Sequence, residues 1–233
     1  TYPFSKPEAD AVDLDVGSTP ARFRFGIPDG EALRFFGDPE AKRLFNGAVA
    51  RLKALGGEPV PVDFTPFEET QRILYDGPWI CERALSLDAV LEKHRASIHP
   101  VTRQILERGA DYNATDVFRA IHKIAELKCA VRPLWDDLAT IMVPTTPTIY
   151  RKDEVLADPI RLNSQLGIYT NFVNLMGLAA IAVPNGFRAD GLPLGVTFLG
   201  PSFSEARIAS IAATFHLSTG LPLGATGAPQ PFS

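Results

Sequence analysis

The sequence predicts an α/β fold: a mixed, mostly parallel sheet covered by helices. Three observations carry this. Residues 23–64 read strand, helix, strand, the order of a crossover unit, and such units build parallel sheets with helices on their faces. The apolar runs Leu178–Val183 and Leu194–Leu199 flank a turn centred on Ala189-Asp190-Gly191, which is the pattern of a hairpin and adds an antiparallel pair. Between and after these strands lie apolar residues at three- and four-residue spacing, the signature of amphipathic helices.

In chain order, residues 1–21 hold three prolines and no apolar periodicity, and are read as an extended connector. Residues 22–224 form the folded body, and residues 225–233 a tail or linker. Phe23–Ile27 is the first strand, ended by Pro28-Asp29-Gly30. Asp38-Pro39 starts a helix, with an N-cap acid followed by proline at the first helical position. Its stripe of Leu44, Ala48, Leu52 and Leu55 runs to Gly56-Gly57, and strand Val60–Phe64 follows. Residues 66–99 are helical but broken at Gly77-Pro78, because proline lacks an N–H and clashes with the preceding turn. The second of these helices is expected to begin at Pro78. Thr115–Leu138 is a long helix with Val117, Ile121, Ile124, Leu127 and Val131 on one face, and Pro133 near its end. Ala139–Val143 is a buried strand, stopping at Pro144-Thr145-Thr146-Pro147. The stretch from there to Leu162 is polar and expected to be loop. Ser204–His216 is the last helix, with Ile208, Ile211, Ala212 and Phe215 as its inner stripe.

Composition narrows the function classes. At 233 residues, with 45% hydrophobic and 21% charged side chains, the chain suits one large globular domain. The net charge of −4 is mild and the basic residues are scattered, which argues against nucleic acid as a partner. The longest apolar run is about half of the roughly 20 residues a membrane helix needs, so no membrane association is expected. Cys81 and Cys129 form no Cys-x-x-Cys motif. They are read as reduced thiols in a cytoplasmic protein, packed as small hydrophobes. The sequence starts at Thr1 without a targeting pattern and reads as a piece of something longer.

Searching for chemistry, the histidines at 94, 99, 122 and 216 have no zinc-type spacing, and no glycine-rich phosphate loop occurs, so neither metal nor cofactor is expected. No serine stands in a Gly-x-Ser-x-Gly, Ser-x-x-Lys or Gly-Gly-Ser-Ser context, so no catalytic residue is assigned. The hydroxyls of Pro144-Thr145-Thr146-Pro147 could face a ligand at a strand's carboxyl end, or simply make a rigid turn. The sharpest stretch is Tyr75-Asp76-Gly77-Pro78-Trp79-Ile80-Cys81-Glu82-Arg83. Read blandly, Tyr75 is a half-buried aromatic and Arg83 a solvated helix residue. Read functionally, Tyr75 lies just before a helix N-terminus and Arg83 on its second turn, where a planar guanidinium suits a small carboxylate.

The Tyr75–Arg83 stretch, Val143-Pro-Thr-Thr-Pro-Thr-Ile-Tyr150 with Asp153-Glu154-Val155, Asp158-Pro159, Asn163–Gly167, Tyr169–Asn174 and the Asn171–Pro201 segment together resemble the amidase-signature family, and within it the allophanate hydrolases. The resemblance runs from about Phe23 to Gly224 and implies that residues 22–224 are the C-terminal part of an amidase domain, an amidase-signature fold incomplete in this chain. It implies hydrolysis of allophanate, a urea bearing one carboxylate, with release of ammonia in urea degradation. The family's Ser-Ser-Lys triad cannot be placed on this sequence, so the chain alone is expected to be inactive and to need the missing N-terminal half of the same domain. The resemblance assigns Tyr75 and Arg83 to recognition of the carboxylated substrate. A homodimer is left open. The alternatives are another amidase or one component of an amidotransferase, for whose neutral amide Arg83 has no evident use, and a noncatalytic binding or scaffold fragment.

Overall fold

The computed structural model describes residues 16–222; residues 1–15 of the expected connector and the whole expected tail lie outside the described residues. The chain runs β1 (Phe23–Pro28), α1 (Pro39–Ala54), β2 (Gly57–Val62), α2 (Thr65–Tyr75), α3 (Ile80–Ser86), α4 (Asp88–Lys93), α5 (Pro100–Glu107), α6 (Ala114–Val131), α7 (Leu134–Asp137), β3 (Thr140–Pro144), α8 (Lys152–Ala157), α9 (Pro159–Leu166), α10 (Val173–Met176), β4 (Ala179–Phe187), β5 (Pro193–Gly200) and α11 (Glu205–Thr219). These elements fall into two compact units. One holds the residues up to Asp63, Leu134–Thr148 and those from Gly177 onward; the other holds Phe64–Pro133 and Ile149–Met176.

The first unit carries the sheet, in the order β2-β1-β3-β5-β4. β1 pairs in parallel with β2 and β3, whereas β5 runs antiparallel to both β3 and β4. The sheet is therefore mixed, as expected, with its parallel and antiparallel pairs evenly divided because the hairpin joins β3 through β5. Every residue of the central β3 is buried, which is why Ile141-Met-Val-Pro144 reads as an apolar run without alternation. The hairpin forms where the sequence places it: Gly191 N–H donates to Arg188 O at 3.0 Å and Arg188 N–H to Leu192 O at 2.9 Å. Its first strand is not fully buried, however. β4 is an edge strand, and Ala180, Ala182 and Pro184 face outward in alternation with partly covered neighbours. Helices α1 and α11 pack on this sheet, and the Phe198 and Phe215 rings meet edge to face at 5.5 Å.

Helix α1 starts as its sequence predicts, with Asp38 accepting from Ala41 N–H at 2.9 Å. Its inner stripe is Ala41, Phe45, Ala48 and Leu52. Leu44 and Leu55 flank it, because the bulky Phe45 takes the centre of the face. α11 buries the expected Ile208, Ile211, Ala212 and Phe215. Part of the expected connector is anchored: the Thr19 hydroxyl donates to Ser210 O at 2.7 Å.

The second unit is helical. β2 stops at Val62, not at Phe64 as the sequence suggests, because Phe64 turns into helical backbone and caps α2. Its ring then joins Phe67, Tyr169 and Phe172, with centroid separations of 4.7 Å to Phe67 and 5.5 Å to Phe172. These four side chains are buried and form the centre of the unit. Helix α6 is shorter than expected, ending at Val131 before Pro133, and its buried face is Ala120, Ile124, Leu127 and Val131. Ile121 is exposed, since the face is rotated towards Ala120. Cys129 lies on the opposite side of α6 and is exposed, contrary to the buried position expected; Cys81 is partly covered and donates to Gly109 O at 3.3 Å. The polar stretch before Leu162 is also not loop. It forms α8, whose Glu154 accepts from Arg151 N–H at 2.7 Å, and α9, which Asp158-Pro159 opens.

Candidate functional site

Tyr75 and Arg83 belong to the helical unit, and the fold brings them together. Helix α2 runs to Tyr75, turns through Asp76–Trp79, and restarts as α3 at Ile80. The restart falls two residues later than Pro78, since the Pro78 and Trp79 carbonyls accept from the N–H groups of Cys81 and Glu82. Those two N–H groups are thus occupied by the turn. The two side chains themselves meet. The Arg83 guanidinium stacks over the Tyr75 ring, 5.1 Å from its centroid. Both residues are half-buried, and Arg83 makes no ion pair among the described residues. A guanidinium over an aromatic face and not neutralised by an acid has a geometry suited in general to a planar carboxylate.

The other end of Tyr75 is also fixed. Its hydroxyl donates to Asn171 Oδ1 at 3.3 Å. Asn171 follows a tight turn in which its own N–H bonds Gly167 O at 2.9 Å. Nearby, Tyr112 donates to Asp76 O at 2.7 Å and pins the turn between α2 and α3. Asn171 is visible to sequence reasoning only as part of a matching stretch; no local signal connects it with Tyr75, from which it lies 96 residues away. A groove of about 470 Å³ lined by Trp79, Glu82, Ile124, Lys128 and Asn174, among others, borders the same segment; Tyr75 and Arg83 are not part of its lining.

Within the sheet unit, the threonines of the Pro144–Pro147 turn are engaged internally. Thr145 and Thr197 share a hydrogen bond at 2.9 Å, and the Thr146 hydroxyl donates to Thr148 O at 3.1 Å. Thr148 donates to Asp38 Oδ2 at 2.9 Å. This favours the rigid-turn reading of that motif. Asp38 also pairs with Arg188, which reaches on to Asp190 at 3.1 Å. Burial pushes the Asp38 carboxyl up, but the Ala41 N–H, Thr148, Arg188 and the Arg188 charge outweigh it and hold the group below its ordinary value. Arg188 is correspondingly raised: burial disfavours its charge, and Asp38 and Asp190 more than restore it. The cluster ties the hairpin turn to the start of α1 and is structural.

The amidase family profile matches residues 2–209, and the chain belongs to the amidase family. Among curated relatives it is 36% identical over 182 residues to the urea amidolyase of Saccharomyces cerevisiae, covering 77% of this chain and 10% of that protein. It is 30% identical over 207 residues to one component of the glutamyl-tRNA(Gln) amidotransferase of Synechococcus, covering 79% of this chain and 41% of that one. Among solved structures, Kluyveromyces lactis allophanate hydrolase superposes with a TM-score of 0.82 at 35% identity, covering 88% of this chain and 34% of that one. The chain thus spans about a tenth of the urea amidolyase and a third of the allophanate hydrolase structure, consistent with part of a larger amidase domain.

Proposed function

We propose that this chain is part of an amidohydrolase that hydrolyses allophanate with release of ammonia in urea degradation, and that Tyr75 and Arg83 hold the substrate carboxylate. The observation that carries this reading is the Arg83 guanidinium laid over the Tyr75 ring without an acidic partner among the described residues. An anion taken out of water without compensating donors costs several kcal/mol, so a site for a charged urea needs such a cation, whereas a neutral amide does not. The likeness to urea amidolyase and to allophanate hydrolase supports the same choice over an amidotransferase role. The Ser-Ser-Lys chemistry is assigned to the rest of the domain, and the chain to scaffold and recognition. Phe118 and Ile121, exposed on α6, supply apolar surface for that remaining part or for a second copy. The two free thiols, Cys81 and Cys129, favour a cytoplasmic setting, and no described helix is long and apolar enough to cross a membrane.

The test is ammonia release from allophanate by the intact protein, with and without Arg83→Ala. Losing a charge-assisted hydrogen bond to the carboxylate should raise KM about ten- to a hundredfold. No ammonia release, or an unchanged KM in the variant, overturns the proposal.

A further inference from the structure

The Tyr75 hydroxyl carries one proton, and the structure directs it to Asn171 Oδ1. A carboxylate only accepts hydrogen bonds. A tyrosine committed to Asn171 therefore has nothing to donate to the substrate, and its oxygen lone pairs would repel it. For Tyr75 to serve a carboxylate the direction of this bond has to reverse. A carboxamide can do this, because a half-turn of the amide exchanges its acceptor for a donor: Nδ2–H then donates to the Tyr75 oxygen, and the phenolic proton is released towards the ligand. No covalent bond forms or breaks, and the proton stays on Tyr75 throughout.

A second observation shows that the place for this amide is built. The Asn171 side chain lies directly against Gly167, so that a Cβ at Gly167 would overlap Oδ1, Nδ2 and Cγ together. The backbone N–H groups of Thr170 and Asn171 both bond Gly167 O, at 3.0 and 2.9 Å, which fixes the amide's base above that glycine. Any side chain at Gly167 would push the amide away from Tyr75.

We propose that Asn171 is a positioning residue that sets the polarity of the Tyr75 hydroxyl and thereby makes the site select an anionic group, with Gly167 keeping the space it turns in. This rests on the reading of Tyr75 and Arg83 as the carboxylate site. It makes a prediction that a packing role does not. Asn171→Ala frees the Tyr75 proton and is mild. Asn171→Asp places an ionised, acceptor-only group there, which holds the proton away from the ligand and adds a like charge.

The experiment is steady-state ammonia release from allophanate by the intact protein, comparing Asn171→Ala, Asn171→Asp and Gly167→Ala, with Tyr75→Phe and Arg83→Ala as references. Asn171→Asp should raise KM about tenfold or more above Asn171→Ala, with kcat less affected, and the difference should shrink as the pH is lowered towards protonation of the new carboxyl. In a Tyr75→Phe background, Asn171→Ala should have no further effect. Equal KM values for the two Asn171 variants, or full additivity with Tyr75→Phe, overturn the inference. Should Asn171→Asp fail to fold, Gly167→Ala is expected to match the mild effect of Asn171→Ala, and a further rise in KM from Asn171→Ala in the Tyr75→Phe background refutes the positioning role. If the Tyr75 and Arg83 references leave KM unchanged, the carboxylate site itself is refuted; if they raise KM while Asn171→Asp matches Asn171→Ala, only the role of Asn171 falls.

Discussion

The Asp38 cluster offers a stability measurement whose size follows from geometry. Asp38 caps α1 through Ala41 N–H, accepts from Thr148 and pairs with Arg188, while its side chain is only 8% exposed and that of Arg188 only 18%. Loss of an N-cap alone costs about 0.5–2 kcal/mol. Removing one partner of a largely buried ion pair costs about 3–5 kcal/mol, because the other charge is left without compensation. These overlap in one side chain, so Asp38→Ala is expected to lose about 3–5 kcal/mol, which for a chain of this size lowers Tm by about 6–20 °C. Asp38→Asn keeps an equally good cap and removes the charge, so it should fall between wild type and Asp38→Ala. The pH dependence has a definite sign. The folded carboxyl titrates below its unfolded value, so the unfolded chain takes up the proton first as pH falls. Its contribution is present above the ordinary aspartate range and is lost as pH drops through the depressed folded value. Thermal melting from pH 7 to pH 3 checks this. Variants melting within about 2 °C of wild type at pH 7, or an Asp38→Asn protein with the same acid sensitivity as wild type, would refute the reasoning.

Two other sites follow from packing. Phe172→Ala removes a fully buried ring from the Phe64–Phe67–Tyr169 group; it should cost about 3–5 kcal/mol in urea unfolding, and a loss under about 1 kcal/mol would mean that the helical unit is held elsewhere. Gly26→Ala would bring a Cβ to 2.7 Å from Val62 and 2.8 Å from Ile141 in the sheet core. A loss of about 1–3 kcal/mol is expected from the same measurement, and neutrality would show that β1 yields more readily than a packed interior does.

Much of the fold is legible because its signals are local. The Asp38-Pro39 start of α1, the Ala189–Gly191 turn and the inner stripe of α11 each depend on residues within a few positions of one another. The same Asp-Pro signal stands at Asp158-Pro159, yet the polar run around it masks a helix, because α8 and α9 are short and bury few side chains. Phe64 is the converse case. Its apolar character suits the end of a strand, but packing against Phe67 and Phe172 draws it into the next helix instead.

The candidate site divides along the same line. That an arginine should meet a carboxylate is written in its chemistry, and Tyr75 and Arg83 are close enough in sequence for one turn to place them together. Whether the tyrosine's proton is available is not a local property. Its partner is Asn171, 96 residues on, whose amide packs against a glycine with no Cβ to displace it. The Asp38–Arg188 pair, 150 residues apart, is hidden from sequence for the same reason. Residue type can thus nominate a cation for an anion, but the direction of a single hydroxyl proton depends on tertiary contacts.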